Sequence, residues 1–224
     1  MSQLLPDQST LDAHAEQCPD FARWCSGQGV ITHTAITQAA VYRLAHQLVQ
    51  SGQQADVAAV YQLMIALDQI TNAGMWLVVH MTYAKRCHVD GRELAAEDFK
   101  SRPEGHTGGA LNMVPAYASY LALNSLTGHT RSWLMGQGHC VAAIDALNVL
   151  VGNLHPEQAQ RYAGGSGLDQ LLKDFYSYAQ LPDGRPASPL GSHVNPYTAG
   201  GIIEGGYLGF AELQYAHMPL PGET

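Results

Sequence analysis

The chain has 224 residues, enough for one domain with a sizeable hydrophobic core or for two small ones. Its apolar fraction of 46% is typical of a globular protein, whereas only 13% of its residues are charged, so much of its surface should be covered by the core or by a partner. The formal net charge is -8, and the basic residues are scattered along the sequence. This pattern argues against nucleic acid and against a membrane as partners.

The cysteines and the N-terminal residues indicate the cellular compartment of the protein. The four cysteines, at positions 18, 25, 87 and 140, form no C-x-x-C pair, so zinc-ribbon and redox-motif interpretations have little support. Residues 1–12 have neither a basic start nor an apolar run, and no signal peptide is predicted. The longest apolar stretch is about half of a membrane span. We therefore expect reduced thiols in a cytoplasmic protein.

The first part of the chain predicts a loose opening and then helices. Residues 1–33 carry prolines and glycines and are interpreted as an N-terminal extension. Apolar residues at helical spacing predict a helix over 34–50. Asp56 is a plausible N-cap for a longer helix, which Gly74 should kink or divide. The piece that follows, 75–83, is apolar on nearly all sides, so we expect it to be buried.

The remainder, 34–224, is predicted to be one partial domain of helix-rich α/β type. Further helices are predicted over 94–100, 111–126, 141–151, 168–178 and 205–216. The clearest strand candidate, 130–135, runs into a glycine turn and then a helix, which is typical of helices packed around a parallel sheet. A parallel sheet needs several strands, so the sheet should be incomplete in this chain.

Three segments combine glycines with a histidine: 105–109, 136–139 and 192–206. Each joins backbone freedom to a side chain that can move protons near neutral pH. Glycines in a turn before a helix let the backbone approach a ligand closely, and the helix N-terminus favours anionic groups. A single histidine in a glycine loop is more often structural, and a lone G-x-G is a weak signal. Together the segments predict anion-binding loops with histidines, without identifying the anion.

Five motifs stand in an order that matches a known family. In this sequence they are 105–109 (G-H-T-G-G), 136–142 (G-Q-G-H-C-V-A), 167–175 (G-L-D-Q-L-L-K-D-F), 192–196 (S-H-V-N-P) and 198–209 (T-A-G-G-I-I-E-G-G-Y-L-G). They resemble the G-H-W-G-T, G-P-G-H-G-G-P, G-L-x-x-L-F-x-x-F, S-H-x-A-P and T-P-G-S-I-H-E-G-G-E-L-G motifs of the phosphoketolase N-terminal domain. The resemblance runs from about residue 76 to 209, and five ordered motifs are far more specific than any one.

The resemblance implies a thiamine-diphosphate-dependent aldehyde-lyase that cleaves the C2–C3 bond of ketose phosphates, with inorganic phosphate as a further substrate. By motif match, His106 would lie near the cofactor diphosphate and the reacting carbon, and His139 would contact substrate hydroxyls. His193 would lie in the substrate channel. The implied cofactor contacts are His106, Gly138, Gly200, Gly201 and Ile202. A full-length enzyme of this kind would be a homodimer that uses Mg or Ca in carbohydrate metabolism.

The sequence also departs from the family pattern. Ile203 replaces a histidine and cannot carry a proton, and Thr107 replaces an aromatic residue. Cys140-Val141-Ala142 replaces G-G-P, so the pocket should have a different shape. No G-D-G motif is present, and the metal ligands are expected downstream rather than in this chain. We therefore expect a fragment that is inactive on its own.

Two alternatives stay open at this point. One is a metal-dependent hydrolase using His106, His139, His193 and Glu204, although no short H-x-x-x-H pair supports it. The other is a non-catalytic remnant or binding module, which the low charge and the incomplete sheet would suit.

The remaining histidines receive no predicted role. His80 is interpreted as a core residue, like Trp76, and Asp68 as a charge on a helix surface.

Overall fold

A computed structural model describes residues 5–131 and 138–177, together with the single positions 133, 180 and 182. Its α-helices are α1 (Gln8–Gln17), α2 (Pro19–Cys25), α3 (Ala35–Gln50), α4 (Val57–Tyr83), α5 (Thr107–Thr127), α6 (Val141–Val151), α7 (Pro156–Arg161) and α8 (Gly164–Asp174). Short 3₁₀ turns lie at Ala96–Asp98 and Gly138–Cys140. The predicted helix-rich character is therefore confirmed.

The predicted parallel sheet is not seen in the described part of the chain. The isolated bridges between two described residues are both antiparallel, Gln28–Ile31 and Ala84–Phe99. Of the predicted strand 130–135, positions 130, 131 and 133 are not in a strand, and the other positions lie outside the described residues. The sheet therefore stays a prediction.

Side-chain caps mark several helix boundaries. Asp7 accepts a hydrogen bond from the Thr10 N–H at 2.9 Å, and the Thr34 hydroxyl accepts one from the Thr37 N–H at 3.3 Å. Asp56 accepts from the N–H of Ala59 at 2.8 Å, as its predicted N-cap role requires. At the far end of α6, Gly152 adopts a left-handed φ of 72°. A left-handed glycine is a common way to end a helix, and here it ends α6 where the sequence predicts.

One compact unit comprises residues up to 72 together with 118–131. The loose opening predicted for 1–33 is wrong over most of its described length, because α1 and α2 fill it. Pro19 does not break this segment, since it occupies the first turn of α2, where its missing N–H costs nothing. Phe21 and Trp24 are buried in the hydrophobic core of this unit, with Tyr61 and Met64 of α4. The two short helices are thus held by packing rather than by their own propensity.

A buried contact between a histidine and a carboxylate ties the segment before α3 to α4 in this unit. His33 Nε2 lies 2.7 Å from Asp68 Oδ2, and both side chains are 9% exposed. The indole of Trp24 stacks on the His33 ring with centroids 4.1 Å apart. Asp68 is therefore not the surface charge that the sequence suggested, and His33 has a structural partner that sequence reasoning missed.

The second compact unit comprises residues 73–117 and those from 132 onward. Its core is built around α6, in which every residue from Val141 to Asn148 is buried. A helix that is buried on all sides lies in the interior of its domain. Gly74 allows α4 to approach this core closely, because a Cβ there would lie 3.0 Å from both Leu147 and Val114. The division predicted at Gly74 is wrong, because α4 continues without interruption from Val57 to Tyr83, and the kink stays a prediction.

The C-terminal part of α4 is buried on one side only. Leu77, Val78 and Met81 are buried, whereas Trp76 and Tyr83 are each 39% exposed. The predictions that 75–83 is buried all round and that His80 lies in the core are therefore wrong. His80 is half-buried rather than buried, and its Nδ1 lies 2.9 Å from the Trp76 carbonyl oxygen. Among the described residues, no helix has both the length and the apolar character to cross a membrane.

Other boundaries also differ from the sequence-based ones. The helix predicted at 94–100 is only the 3₁₀ turn Ala96–Asp98, and α7 was not predicted. The helix predicted at 168–178 begins earlier, at Gly164, and ends at Asp174. The proposed division into 1–33 and 34–224 concerns family membership rather than packing and stays a prediction.

Candidate functional site

His106 caps the helix that follows it. The helix α5 begins at Thr107, and the N–H of Gly109 donates to His106 Nδ1 at 2.9 Å. Because Nδ1 accepts this bond, the neutral imidazole carries its proton on Nε2. The ring is exposed, so Nε2–H is directed toward groups outside the helix rather than into the core. His106 is therefore placed as a hydrogen-bond donor beside the N-terminus of α5.

Gly105 determines the backbone conformation just before His106. Gly105 has a φ of 122°, which side-chain-bearing residues rarely adopt. A Cβ at this position would lie 3.1 Å from the Phe175 ring and 3.2 Å from the Thr82 hydroxyl oxygen. Both the backbone angle and the close contacts thus require glycine, and together they fix where the next residue emerges.

His139 comes to the same place from a different part of the chain. The 3₁₀ turn Gly138–Cys140 leads directly into α6, so His139 lies beside the N-terminus of that helix. Its ring centroid is 4.6 Å from that of His106, with the ring planes at 69°. Two of the glycine–histidine motifs therefore meet at the N-terminal ends of α5 and α6. Such ends carry backbone N–H groups and a partial positive charge.

Gly109 lies at the point where these two turns meet. A Cβ on Gly109 would lie 2.6 Å from His106 Nδ1 and 2.7 Å from Cys140 Sγ. Real Cβ atoms essentially never approach other atoms so closely, so any other residue would push the imidazole or the thiol away. The close approach of His106 to Cys140 therefore depends on a glycine in the first turn of α5.

Two buried hydroxyl groups near these turns have no hydrogen-bond partner among the described residues. They are Oγ1 of Thr107, the first residue of α5, and Oγ1 of Thr82, which lies beside Gly105. A buried polar atom left without a partner costs about 1–3 kcal/mol. Such atoms are uncommon in folded proteins, and one explanation is that they serve a ligand.

The same residues can be tested as a metal site. Ligand atoms of His106, His139 and Cys140 all lie within 4.8 Å of one another. A metal-binding histidine normally donates a hydrogen bond from its second nitrogen, whereas Nδ1 of His106 accepts one and leaves the proton on Nε2. Burial also raises the pKa of the Cys140 thiol, which favours the protonated form over the thiolate that zinc binds. The cluster is better suited to hydrogen bonding and proton transfer than to metal ligation.

The sequence-predicted site residues fall into two groups. His106, Gly138 and His139 are brought together by the fold. The others lie outside the described residues: His193, Gly200, Gly201, Ile202 and Glu204. Their predicted roles stay predictions.

Sequence reasoning missed how closely Cys140 and Gly109 approach His106, and how closely Thr82 approaches Gly105. Cys140 and Gly109 belong to the glycine–histidine motifs and could have been considered. Thr82 lies within an apolar helix and gives no such signal.

Comparison with known proteins gives one family for most of the chain. The model of the XFP N-terminal domain matches residues 60–218. A probable phosphoketolase of Schizosaccharomyces pombe is 28% identical over 156 residues, which is 70% of this chain and 17% of that protein. No solved structure gives a significant match.

Two bacterial proteins give similar matches. The xylulose-5-phosphate phosphoketolase of Lactiplantibacillus pentosus is 29% identical over 148 residues. A probable phosphoketolase of Thermosynechococcus vestitus is 31% identical over 152 residues. Each match covers 65% of this chain and 17% of the relative. The chain thus corresponds to about a sixth of these proteins.

Proposed function

Because the chain belongs to the XFP N-terminal domain family, we propose that it supplies part of the catalytic site of a phosphoketolase-like enzyme. In this proposal the enzyme cleaves the C2–C3 bond of ketose phosphates with thiamine diphosphate and inorganic phosphate, as an aldehyde-lyase of carbohydrate metabolism. The supporting observation is the meeting of His106 and His139, whose ring centroids lie 4.6 Å apart although they come from separate motifs. The parallel sheet of the proposed fold would then lie outside the described residues.

The described residues fit the anionic end of such a cofactor. The N-terminal ends of α5 and α6 meet at the histidines, and helix N-termini bind phosphoryl groups through backbone N–H groups. The buried hydroxyl of Thr107 is an unused hydrogen-bonding group at one of these ends. Gly109 keeps the space between His106 and Cys140 clear of a side chain. These residues, with Gly138, would hold a diphosphate.

The nitrogen and sulfur cluster does not suit Mg or Ca, because both ions prefer oxygen ligands. A metal that accompanies the diphosphate would therefore take its protein ligands from outside this cluster. The family resemblance assigns Gly200, Gly201, Ile202 and His193 to the remaining contacts with cofactor and substrate.

The chemistry divides between the cofactor and the two histidines. Thiamine diphosphate, when bound, supplies the carbon nucleophile and the electron sink that C–C cleavage needs. His106 donates a hydrogen bond from Nε2, because its Nδ1 is occupied by the Gly109 N–H. His139 is half-buried beside it and accepts or returns a proton on a substrate hydroxyl. The geometry thus provides a fixed donor and a second proton-transfer group side by side.

The test uses the complete open reading frame that contains these residues. The expressed protein is supplied with thiamine diphosphate, Mg²⁺, phosphate and xylulose 5-phosphate, and acetyl phosphate is measured as its hydroxamate. We expect turnover in the unmodified protein and a loss of about 100-fold or more in His139→Ala. His129→Ala, an exposed histidine without a proposed role, is the matched control and should retain full activity. If cofactor binds and no ketose phosphate is cleaved, the proposal fails.

The same assay separates the proposal from its rivals. Within the described residues, no observation favours a metal-dependent hydrolase or a non-catalytic module. Activity that needs zinc and not thiamine diphosphate would nevertheless establish the first, and His106→Ala would then lose metal. A protein that folds and binds no cofactor would establish the second.

A further inference from the structure

A basic cavity lies in the second unit between the segment after α4 and the helix α8. Its volume is about 500 Å³, and it is lined by Lys85, Arg86, Cys87, His88, Arg92, Asp169 and Lys173. The whole chain has only 11 Lys and Arg residues and a formal net charge of -8. Four of those 11 cations line this one cavity, against a single carboxylate. Such a local excess of positive charge attracts anions to a protein that otherwise repels them.

The backbone that carries these cations is held in place from two sides. The N–H of Lys85 donates to the Asp98 carbonyl at 2.7 Å, next to the bridge between Ala84 and Phe99. The N–H of Cys87 donates to Asp169 Oδ1 of α8, also at 2.7 Å. The single carboxylate of the lining is therefore used to attach the segment to α8. Because these hydrogen bonds hold the backbone in place, the Cα atoms of the cationic residues have defined positions.

Arg92 is oriented without losing its charge. His88 Nε2 donates to Asp98 Oδ2 at 2.9 Å, and His88 Nδ1 accepts from the Arg92 guanidinium at 2.9 Å. Asp98 is buried and also accepts from the N–H of Ala95. Arg92 thus bonds to a neutral imidazole rather than to a carboxylate. A guanidinium has five N–H donors, so most of them are left for a ligand.

Arg86 and Lys173 also line the cavity. Both side chains are exposed, and neither forms an ion pair or a hydrogen bond with any residue that the structure describes. Arg86 does interact with Asp98 at longer range, because the hydrogen bond from His88 and, less strongly, the charge of Arg86 lower the pKa of that carboxyl. Within the described ranges, Lys85 Nζ donates to the Glu97 carbonyl at 3.1 Å and forms no ion pair. Guanidinium and ammonium groups are the side chains that bind phosphate most strongly, arginine through two parallel bonds and lysine as a point charge.

We propose that this cavity is a binding site for the phosphoryl group of a small phosphorylated metabolite. Its volume falls in the range of about 300–1,000 Å³ typical of small-molecule sites, which is more than a bare phosphate ion fills. The cavity shares no lining residue with the His106–His139–Cys140 cluster. The inference therefore stands independently of the proposed function.

The experiment titrates the 224-residue chain with inorganic phosphate and, separately, with glycerol 3-phosphate, by calorimetry at low ionic strength. Low salt is needed because exposed charges are screened at higher concentrations. Arg86→Gln and Lys173→Gln should each weaken binding about tenfold or more, since each removes a charge-assisted hydrogen bond. Arg23→Gln is the matched control, because Arg23 is an exposed arginine of α2 in the other unit. Circular dichroism of each variant verifies that it is folded.

The outcomes separate this site from the histidine cluster. Tighter binding of glycerol 3-phosphate identifies a phosphate ester as the occupant, and equal binding identifies free phosphate. Absence of saturable binding, or equal weakening by all three substitutions, overturns the proposal. The double variant His106→Ala/His139→Ala should keep the binding event that Arg86→Gln and Lys173→Gln weaken. If it alone loses binding, the anion lies at the histidines, and the cavity proposal fails while the proposed function gains support.

Discussion

Alanine at Gly109 should disrupt the histidine cluster, whereas alanine at the neighbouring Gly108 should not. The two glycines follow one another in the first turn of α5. A Cβ at Gly108 would meet nothing within 4 Å, whereas one at Gly109 would lie 2.6 Å from His106 Nδ1 and 2.7 Å from Cys140 Sγ. The same chemical change is therefore made in the same helix with opposite steric consequences.

The expected free-energy changes follow from this geometry. Alanine lowers the conformational entropy of the unfolded chain and favours helix, so Gly108→Ala should raise the free energy of unfolding by up to about 1 kcal/mol. Gly109→Ala has the same gain but loses the bond to His106, worth about 0.5–1.5 kcal/mol. It also displaces the buried Cys140 thiol, and overpacking costs about 1–3 kcal/mol. The two variants should therefore differ by about 2–4 kcal/mol.

Urea denaturation followed by circular dichroism measures both free energies, with the slope checked for constancy between variants. Carbon-edited NMR of the imidazole C–H groups gives a second measure, because the His106 and His139 signals should shift in Gly109→Ala and stay in place in Gly108→Ala. Equal stability changes in the two variants, with unmoved imidazole signals, would refute the close packing of His106, Gly109 and Cys140.

Three further outcomes are expected. Asp68→Ala leaves the buried His33 ring without its hydrogen-bond partner and should lower the free energy of unfolding, measured with urea, by about 1–3 kcal/mol; a loss near zero would contradict this contact. Burial alone would raise the pKa of Asp174, but hydrogen bonds from Arg161, Gln170 and Tyr162 lower it overall from 3.8. A lowered folded-state pKa contributes stability above pH 3.8 that is lost as the pH falls through the folded value, so Asp174→Asn should flatten the acid limb of a stability–pH curve, and an unchanged limb would contradict this. Burial raises the pKa of Cys87 to about 12, so iodoacetamide at pH 8 should label it only after denaturation, as read by mass spectrometry; rapid native labelling would exclude its burial.

Local signals in the sequence were sufficient for much of the helical structure. Asp56 and Gly152 mark helix ends because capping depends on a few neighbouring residues. Pro19 and Gly74 misled for a related reason. Proline is tolerated in the first turn of a helix, and a glycine inside a helix need not end it when neighbouring side chains pack against it. Whether either residue breaks a helix is decided by its surroundings, which sequence spacing does not give.

The candidate site was predictable in part. His106, Gly138 and His139 stand out because glycines surround them, and the fold brings them together. The pairing of His33 with Asp68 joins residues 35 positions apart, which no periodicity indicates. The basic cavity was hidden for the same reason, because Lys173 follows the other cations only after a long interval of sequence. Basic residues that are scattered along a sequence can still line a single cavity.

The burial of α6 means that the segments carrying His139 and His106 differ in local stability. Amide hydrogens in the buried part of a helix, such as 141–148 of α6, exchange with solvent only through the largest openings of a domain, whereas exposed helix ends fray readily. His139 lies in the turn that leads into α6, and His106 lies at the exposed start of α5. The position of His139 should therefore be tied to the most stable part of its unit, whereas the position of His106 depends on its bond to Gly109 at an exposed helix start.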